Sequence, residues 1–371
     1  MFVPVNEPLL NGNEKKYLNE CIETGWVSAE GAFISKFEDG MSKLTKRKYA
    51  ITVTSGTVAL EVAVRALNFE KGSEIIMPDF TIISCAQAIV RAGCVPVLVD
   101  CDPDTWNMNI NQIEAKITNK TAAIMAVHIY GITVDMKPLI EIAEKYNLKV
   151  IEDAAEVIGQ KIYNEPAGSF GDVSCFSFYS NKHVTTGEGG MIVCNDEKLA
   201  QRCKDLKNYC FAPERRFMHY ELGHSYMMSN LQAAVGFAQL EKLEEHIIKK
   251  RYIGKKYQEL LKDLSHKIIL PLEKTSYCKN IYWVFGIVLK DNAGMNAQEC
   301  AEKLRKLGVG TRPFFWPMHE QPVFINEGMF KGEKYPISEN IARMGFYIPS
   351  GLTLDDEKIN YVSQKIHEVL N

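Results

Sequence analysis

Three short stretches carry residue types that could do chemistry together. The run Val173-Ser-Cys-Phe-Ser177-Phe-Tyr-Ser-Asn-Lys182 leads an apolar strand into a lysine, and the glycine-rich turn Gly187-Glu-Gly-Gly190 follows. A lysine at the end of a buried strand is poorly placed for a solvated charge. Burial lowers an amine's pKa and suits it to form a Schiff base. The second stretch, Ile151-Glu-Asp153-Ala-Ala-Glu156, puts a carboxylate at the carboxyl edge of a sheet, where α/β folds bind ligands. Asp153 suits two tasks there. It could cap the segment that follows, or keep the ring nitrogen of a pyridoxal cofactor protonated so that the ring draws electrons. The third, Thr54-Ser-Gly-Thr57, lies between a strand and a helix, where free N–H groups and the helix dipole suit a phosphate. Ser-Gly-Thr is also an ordinary helix N-cap. Ser177, five residues before Lys182, offers a hydroxyl to the same phosphate as Gly56 and Thr57.

The elements that must position these residues are legible as alternating strands and helices. Ile51–Thr54 precedes a helical Val58–Leu67, Glu74–Met77 a helical Ile83–Ala92, and Val95–Val99 a helical Ile110–Ile117. Ala122–Val127 precedes Asp135–Tyr146, followed by strands Lys149–Glu152, Val173–Phe178 and Met191–Cys194 and the helix Glu197–Leu206. Such alternation predicts right-handed crossovers and a mostly parallel sheet with helices on both faces. The strands read as continuous apolar runs, as strands buried on both faces do. From Asn230 the roughly helical spacing of Leu231, Val235, Phe237, Leu240, Leu243 and Ile247 predicts one long helix. Its Lys/Glu-rich end, Lys242–Lys256, reads as a solvated face. A small α/β unit follows, with strand Tyr282–Leu289, helix Ala297–Leu307 and closing helix Glu357–Leu370. The expected division is a large domain over 1–245 and a small C-terminal domain over 246–371.

The chain has 371 residues, 46% apolar and 24% charged, with a formal charge of −3. That is an ordinary globular composition, with no general basis for nucleic-acid or membrane-surface attraction. No apolar run approaches the ~18 residues of a transmembrane helix, and the first residues show no secretion signal. Ten cysteines are scattered without a C-x-x-C pair or a His/Cys cluster. The expectation is a cytoplasmic, metal-free protein with reduced thiols. No G-x-G-x-x-G follows a strand, which disfavours a nicotinamide-dependent oxidoreductase.

The order and spacing of these motifs resemble the sugar-aminotransferase family of fold-type I pyridoxal-phosphate enzymes, which includes perosamine and viosamine synthases. The likeness runs from Asn6-Glu-Pro and Gly25-Trp26-Val-Ser28 through Met77-Pro-Asp-Phe-Thr81, Val127-His-Ile-Tyr-Gly131 and the three stretches above. It continues through Asn230-Leu-Gln-Ala-Ala234 to Thr311-Arg312-Pro-Phe-Phe-Trp-Pro-Met-His319. Glu156 and the Arg312-Pro-Phe-Phe stretch lean toward the perosamine-forming members, which aminate GDP-4-keto-6-deoxymannose. The resemblance implies a mixed, mostly parallel seven-stranded sheet between helices, plus the small C-terminal α/β domain. It implies pyridoxal 5'-phosphate as cofactor, L-glutamate as amino donor, a nucleotide-linked 4-keto-6-deoxy sugar as acceptor, and a homodimer with shared sites.

Carried onto this chain, the resemblance makes Lys182 the catalytic residue that binds the cofactor covalently and moves the proton. Asp153 would meet the pyridine nitrogen and Glu156 the ring hydroxyl, while Gly56, Thr57 and Ser177 would hold the phosphate. Trp26, Arg312 and His319 would lie near the substrate, with a purely structural Arg312 and His319 as the alternative. Two positions depart from the family pattern. Ile82 stands where an aromatic usually stacks on the cofactor, and Ser225-Tyr-Met227 replaces Asn-Tyr-Arg, whose Asn reaches the neighbouring subunit's phosphate. A sugar dehydratase of the same fold is the nearest rival, but those relatives carry histidine in place of the lysine. A catalytically silent scaffold is the other.

Overall fold

The computed structural model describes residues 1–371. Seven strands form the large sheet: β1 (Tyr49–Val53), β2 (Glu74–Pro78), β3 (Val95–Val99), β4 (Thr121–Val127), β5 (Lys149–Asp153), β6 (Val173–Ser177) and β7 (Gly190–Cys194). Their order is β1-β7-β6-β5-β4-β2-β3. β7 runs antiparallel to both its neighbours, and the remaining pairs are parallel. This is the mixed, mostly parallel seven-stranded α/β sheet expected of a fold-type I enzyme.

Each strand feeds two cores, because successive side chains leave opposite faces. Ile51, Val53, Ile75, Met77 and Met125 pack on one side with helices α3 (Gly56–Ala66), α4 (Ser84–Arg91) and α6 (Glu197–Lys207). Ala50, Ile76, Ile124 and Ala126 pack on the other with α1 (Glu14–Thr24), α2 (Ala32–Thr45), α5 (Met136–Lys145) and α7 (Asn230–Glu241). The buried hydrophobic run of each strand thus has a helix to meet on either face.

The second unit is a four-stranded antiparallel sheet of β8 (Ile268–Ile269), β9 (Phe285–Leu289), β10 (Arg312–Pro313) and β11 (Gly345–Ile348), in the order β8-β9-β11-β10. Helices α8 (Leu243–Leu261), α9 (Ala297–Lys306) and α12 (Asp356–Leu370) cover it, while α10 (Pro322–Asn326) and α11 (Pro336–Met344) lie between β10 and β11. Val3 is fully buried in this second core and pairs with Val309, although it falls within the span 1–245 assigned to the large domain.

Two local expectations are corrected. Residues Ile110–Gln112 and Glu114–Lys116 are separate 3-10 turns, not one α-helix; the Asn109 side chain accepts the Asn111 N–H and sets the tight turn. The long helix from Asn230 breaks at Lys242 (φ −103°, ψ 3°), which ends α7 and begins α8. Residue 245 therefore lies inside α8.

Candidate active site

The site assembles where β1, β5 and β6 end. At the start of α3, Ser55 caps the helix by accepting the Val58 N–H at 3.2 Å. The first-turn N–H groups of Gly56 and Thr57 have no acceptor within the helix. Thr57 Oγ1 lies 2.7 Å from Ser84 Oγ at the start of α4. Ser177 closes the group from β6, and glycine is required opposite it. A Cβ on Gly56 would stand 2.6 Å from Ser177 Cβ, and one on Gly190 only 2.2 Å from the Ser55 carbonyl oxygen. Two helix N-termini and several hydroxyls therefore converge at one point, which is an arrangement for an anion.

That point is one end of a cavity of about 340 Å³. Gly56, Thr57, Ile82, Asp153, Glu156, Ser177 and Lys182 all line it, joined by Ser84 and by Trp283, Phe315 and Tyr347 from the second unit. Asp153 accepts the Ala155 N–H at 3.1 Å and the Cys85 S–H at 3.3 Å. No helix follows Asp153, so it has none to cap. Burial raises its pKa against the pull of those donors and of Lys182. Glu156 accepts the Tyr130 N–H at 2.8 Å, and burial pushes it up to about 8 even with Lys182 nearby.

The Lys182 amine lies 4.0 Å from Glu156 Oε1 and 3.5 Å from the centre of the Trp283 ring. β6 stops at Ser177, so Lys182 sits in the turn beyond the strand, where its N–H donates to the Tyr179 carbonyl. Burial lowers its pKa, while Glu156 and Asp153 act to raise it. The neighbouring Glu152 provides a contrast. Burial works against its charge, but His128 and the N–H groups of Gly168 and Phe170 outweigh that and hold it at about 2. Glu152 braces the fold; Asp153, Glu156 and Lys182 face the cavity with few internal partners.

Four other residues singled out in the sequence, Arg312, His319, Ser225 and Trp26, do not line this cavity. Arg312 is exposed on β10, opposite Tyr347, and its charge lowers a tyrosine that burial raises to about 12. His319 is buried and fully engaged. Its ring donates to Asp79 at 2.9 Å, its backbone N–H meets the same carboxylate at 2.9 Å, and its other nitrogen lies 3.3 Å from Glu339. His319 does not line this cavity. Ser225 is exposed in a bridge with Asn208, and Trp26 is exposed at the surface. Ile82 is 41% exposed on the cavity wall, whereas Phe80 is fully buried against Tyr130, Phe314 and Phe315. Trp283, Tyr347 and Ser84 are wall residues the sequence reading did not single out. Only Ser84, at a helix start, carried a local signal.

Residues 8–367 match the profile of the DegT/DnrJ/EryC1/StrS aminotransferase family. The chain is 39% identical over 367 residues to the GDP-perosamine synthase of Escherichia coli O157:H7, covering 99% of this chain and 98% of the relative. It is 36% identical to the GDP-perosamine synthase of Vibrio cholerae, covering 100% and 99%. It also superposes on the aminotransferase from Psychrobacter cryohalolentis with a TM-score of 0.92 at 26% identity, over 100% of this chain and 98% of that one.

Proposed function

This chain belongs to the DegT/DnrJ/EryC1/StrS aminotransferase family, and we propose that it transfers the amino group of L-glutamate to GDP-4-keto-6-deoxymannose, forming GDP-perosamine. The observation that carries this reading is the convergence of Lys182, Asp153, Glu156 and the Gly56–Ser177 anion cradle on one cavity. The acceptor follows the relatives, two of which, matched along their full length, are named GDP-perosamine synthases.

The donor set fits pyridoxal 5'-phosphate, the family's cofactor. Its phosphate suits the N–H groups of Gly56 and Thr57 and the hydroxyls of Thr57, Ser84 and Ser177. Its ring nitrogen suits Asp153, a buried carboxylate with only weak internal donors. When bound, the cofactor supplies an electron sink and a carrier for the amino group.

The chain's own residues do the rest. Asp153 keeps the ring nitrogen protonated by offering it a carboxylate. Lys182 Nζ, whose pKa burial lowers, moves a proton between the carbon that loses the amine and the carbon that gains it. Glu156 holds a proton near the same amine at neutral pH, because burial keeps its carboxyl neutral. Trp283 and Phe315 wall the cavity from the second unit. Ile82 gives an aliphatic contact where relatives stack an aromatic. His183, the only histidine beside Lys182, turns away to the Ile281 carbonyl, which favours transfer over the dehydratase chemistry. We place the second site of a homodimer opposite the first, with Ser225 of one subunit reaching the phosphate held by its partner.

The test is an amination screen of GDP-, dTDP- and UDP-linked 4-keto-6-deoxy sugars with L-glutamate, read by product mass. The expected result is an amino sugar from the GDP-linked substrate at the highest kcat/KM. Preference for a dTDP- or UDP-linked acceptor would overturn the acceptor assignment, and loss of a hydroxyl without gain of nitrogen would overturn the reaction.

A further inference from the structure

Lys250 lies in the stretch Lys242–Lys256 that reads in sequence as a solvated helix face, yet it is only 3% exposed. Its amine meets no carboxylate. It donates instead to two backbone carbonyls, Trp283 at 2.7 Å and Ser350 at 2.6 Å. These belong to the loops before β9 and after β11, so one side chain from α8 ties both loops together beneath the cavity. A buried ammonium without a counter-charge is costly, and burial pushes Lys250 down to about 7. A methionine would fill the space without that cost, so the two donated hydrogen bonds are what the lysine adds.

What those bonds hold is the wall of the active site. The Trp283 indole N–H donates to the Asn181 carbonyl at 3.0 Å, immediately before Lys182 in the chain. The same ring presents its face to the Lys182 amine at 3.5 Å. Trp283 is therefore fixed at its backbone by Lys250 and at its ring by the lysine loop. On the other side of that loop, His246 bonds the His183 carbonyl at 2.8 Å. We propose that Lys250 is a positioning residue for the reacting amine, holding the Trp283 ring against Lys182 from beneath the cavity.

The proposal rests on the reading of Lys182 as the reacting amine, but its test requires no turnover. The charged groups facing Lys182 are Glu156 and Asp153. Those around Lys250 are His183, within reach of its charge, His246 four residues earlier on α8, and Glu7 and Lys182, which line the same small cavity. Competitive acetylation of the cofactor-free, full-length chain across pH, read by mass at the Lys182 peptide, gives the titration midpoint of that amine. A ring face over an ammonium favours the charged form by about 0.5 to 1.5 pH units. Lys250→Met is expected to lower the midpoint by that amount, and Lys250→Arg, which keeps two donors, to leave it in place. If Lys250→Met does not fold, Lys250→Gln replaces it. In a Trp283→Leu background the same substitution should move nothing further. A purely structural lysine would lower the melting temperature without moving the midpoint. An unmoved midpoint in folded Lys250→Met or Lys250→Gln, or an equal shift in the Trp283→Leu background, would overturn the proposal. An error in the reaction assignment would show separately, as absence of aminated product.

Discussion

Asp153 and Glu156 stand three residues apart at the end of one strand, and burial raises both, yet they serve different ends. In the proposed reading Asp153 meets the cofactor's ring nitrogen, so replacing its charge with an amide would remove the group that keeps that nitrogen protonated. Asp153→Asn is expected to lower kcat by on the order of 3 kcal/mol in transition-state free energy, with little change in melting temperature; near-native turnover would reduce Asp153 to a structural residue. Glu156 offers a test by pH. Its carboxyl rises from 4.5 to about 8 on folding. A carboxyl raised in the folded state stabilises the chain fully below its unfolded value, and that contribution is lost as pH climbs through the folded value. In the cofactor-free chain, Glu156→Gln should therefore gain melting temperature over the parent between about pH 5 and about pH 9. A constant difference across that window would contradict the assigned burial effect. Lys182, Asp153 and Gly56 were visible in sequence because each adjoins a strand end or a glycine turn. Trp283 and Tyr347 were not, since they reach the cavity from a loop and a strand more than 100 residues away in sequence, and the side chain itself carries no mark of that. Lys250 misleads for a related reason: a lysine among lysines and glutamates gives no sign of which one turns inward.

At the scale of elements, the strands were legible because burial on both faces leaves long apolar runs. The two-residue strands β8 and β10 and the 3-10 turns at 110–116 were not, because a single side-chain cap or a brief pairing decides them. The strap between β10 and α10 shows what such short pieces do. Asp79, at the end of β2, accepts the Met318 N–H through its backbone oxygen and the His319 backbone and ring through its carboxylate. This clamp fixes Phe315, four residues earlier, against the cavity. Burial alone would lower the His319 pKa, but Asp79, with Glu320 and Glu339, raises it. Removing one member of a buried ion pair leaves the other uncompensated. His319→Ala is therefore expected to cost about 3–5 kcal/mol in urea unfolding. A loss within about 0.5 kcal/mol, the usual range for an exposed residue, would show that the strap is held by its backbone bonds alone.

At the scale of the whole molecule, the two units meet across the cavity, and the exposed apolar side chains of Trp26, Phe217, Tyr220 and Leu222 suit a partner subunit. In a twofold dimer with shared sites, Lys182→Ala and Ser225→Trp would each be inactive alone. Refolded together, they should form mixed dimers in which one site pairs an intact Lys182 with an intact Ser225 and activity returns. Confirmed mixed dimers without activity would confine the site to a single chain. The chemistry itself has a more direct test. Borohydride reduction of the cofactor-loaded chain, followed by peptide mapping, should leave the cofactor covalently attached to the peptide containing Lys182 and absent from folded Lys182→Ala. A label on any other lysine would contradict the assignment of Lys182 as the reacting amine.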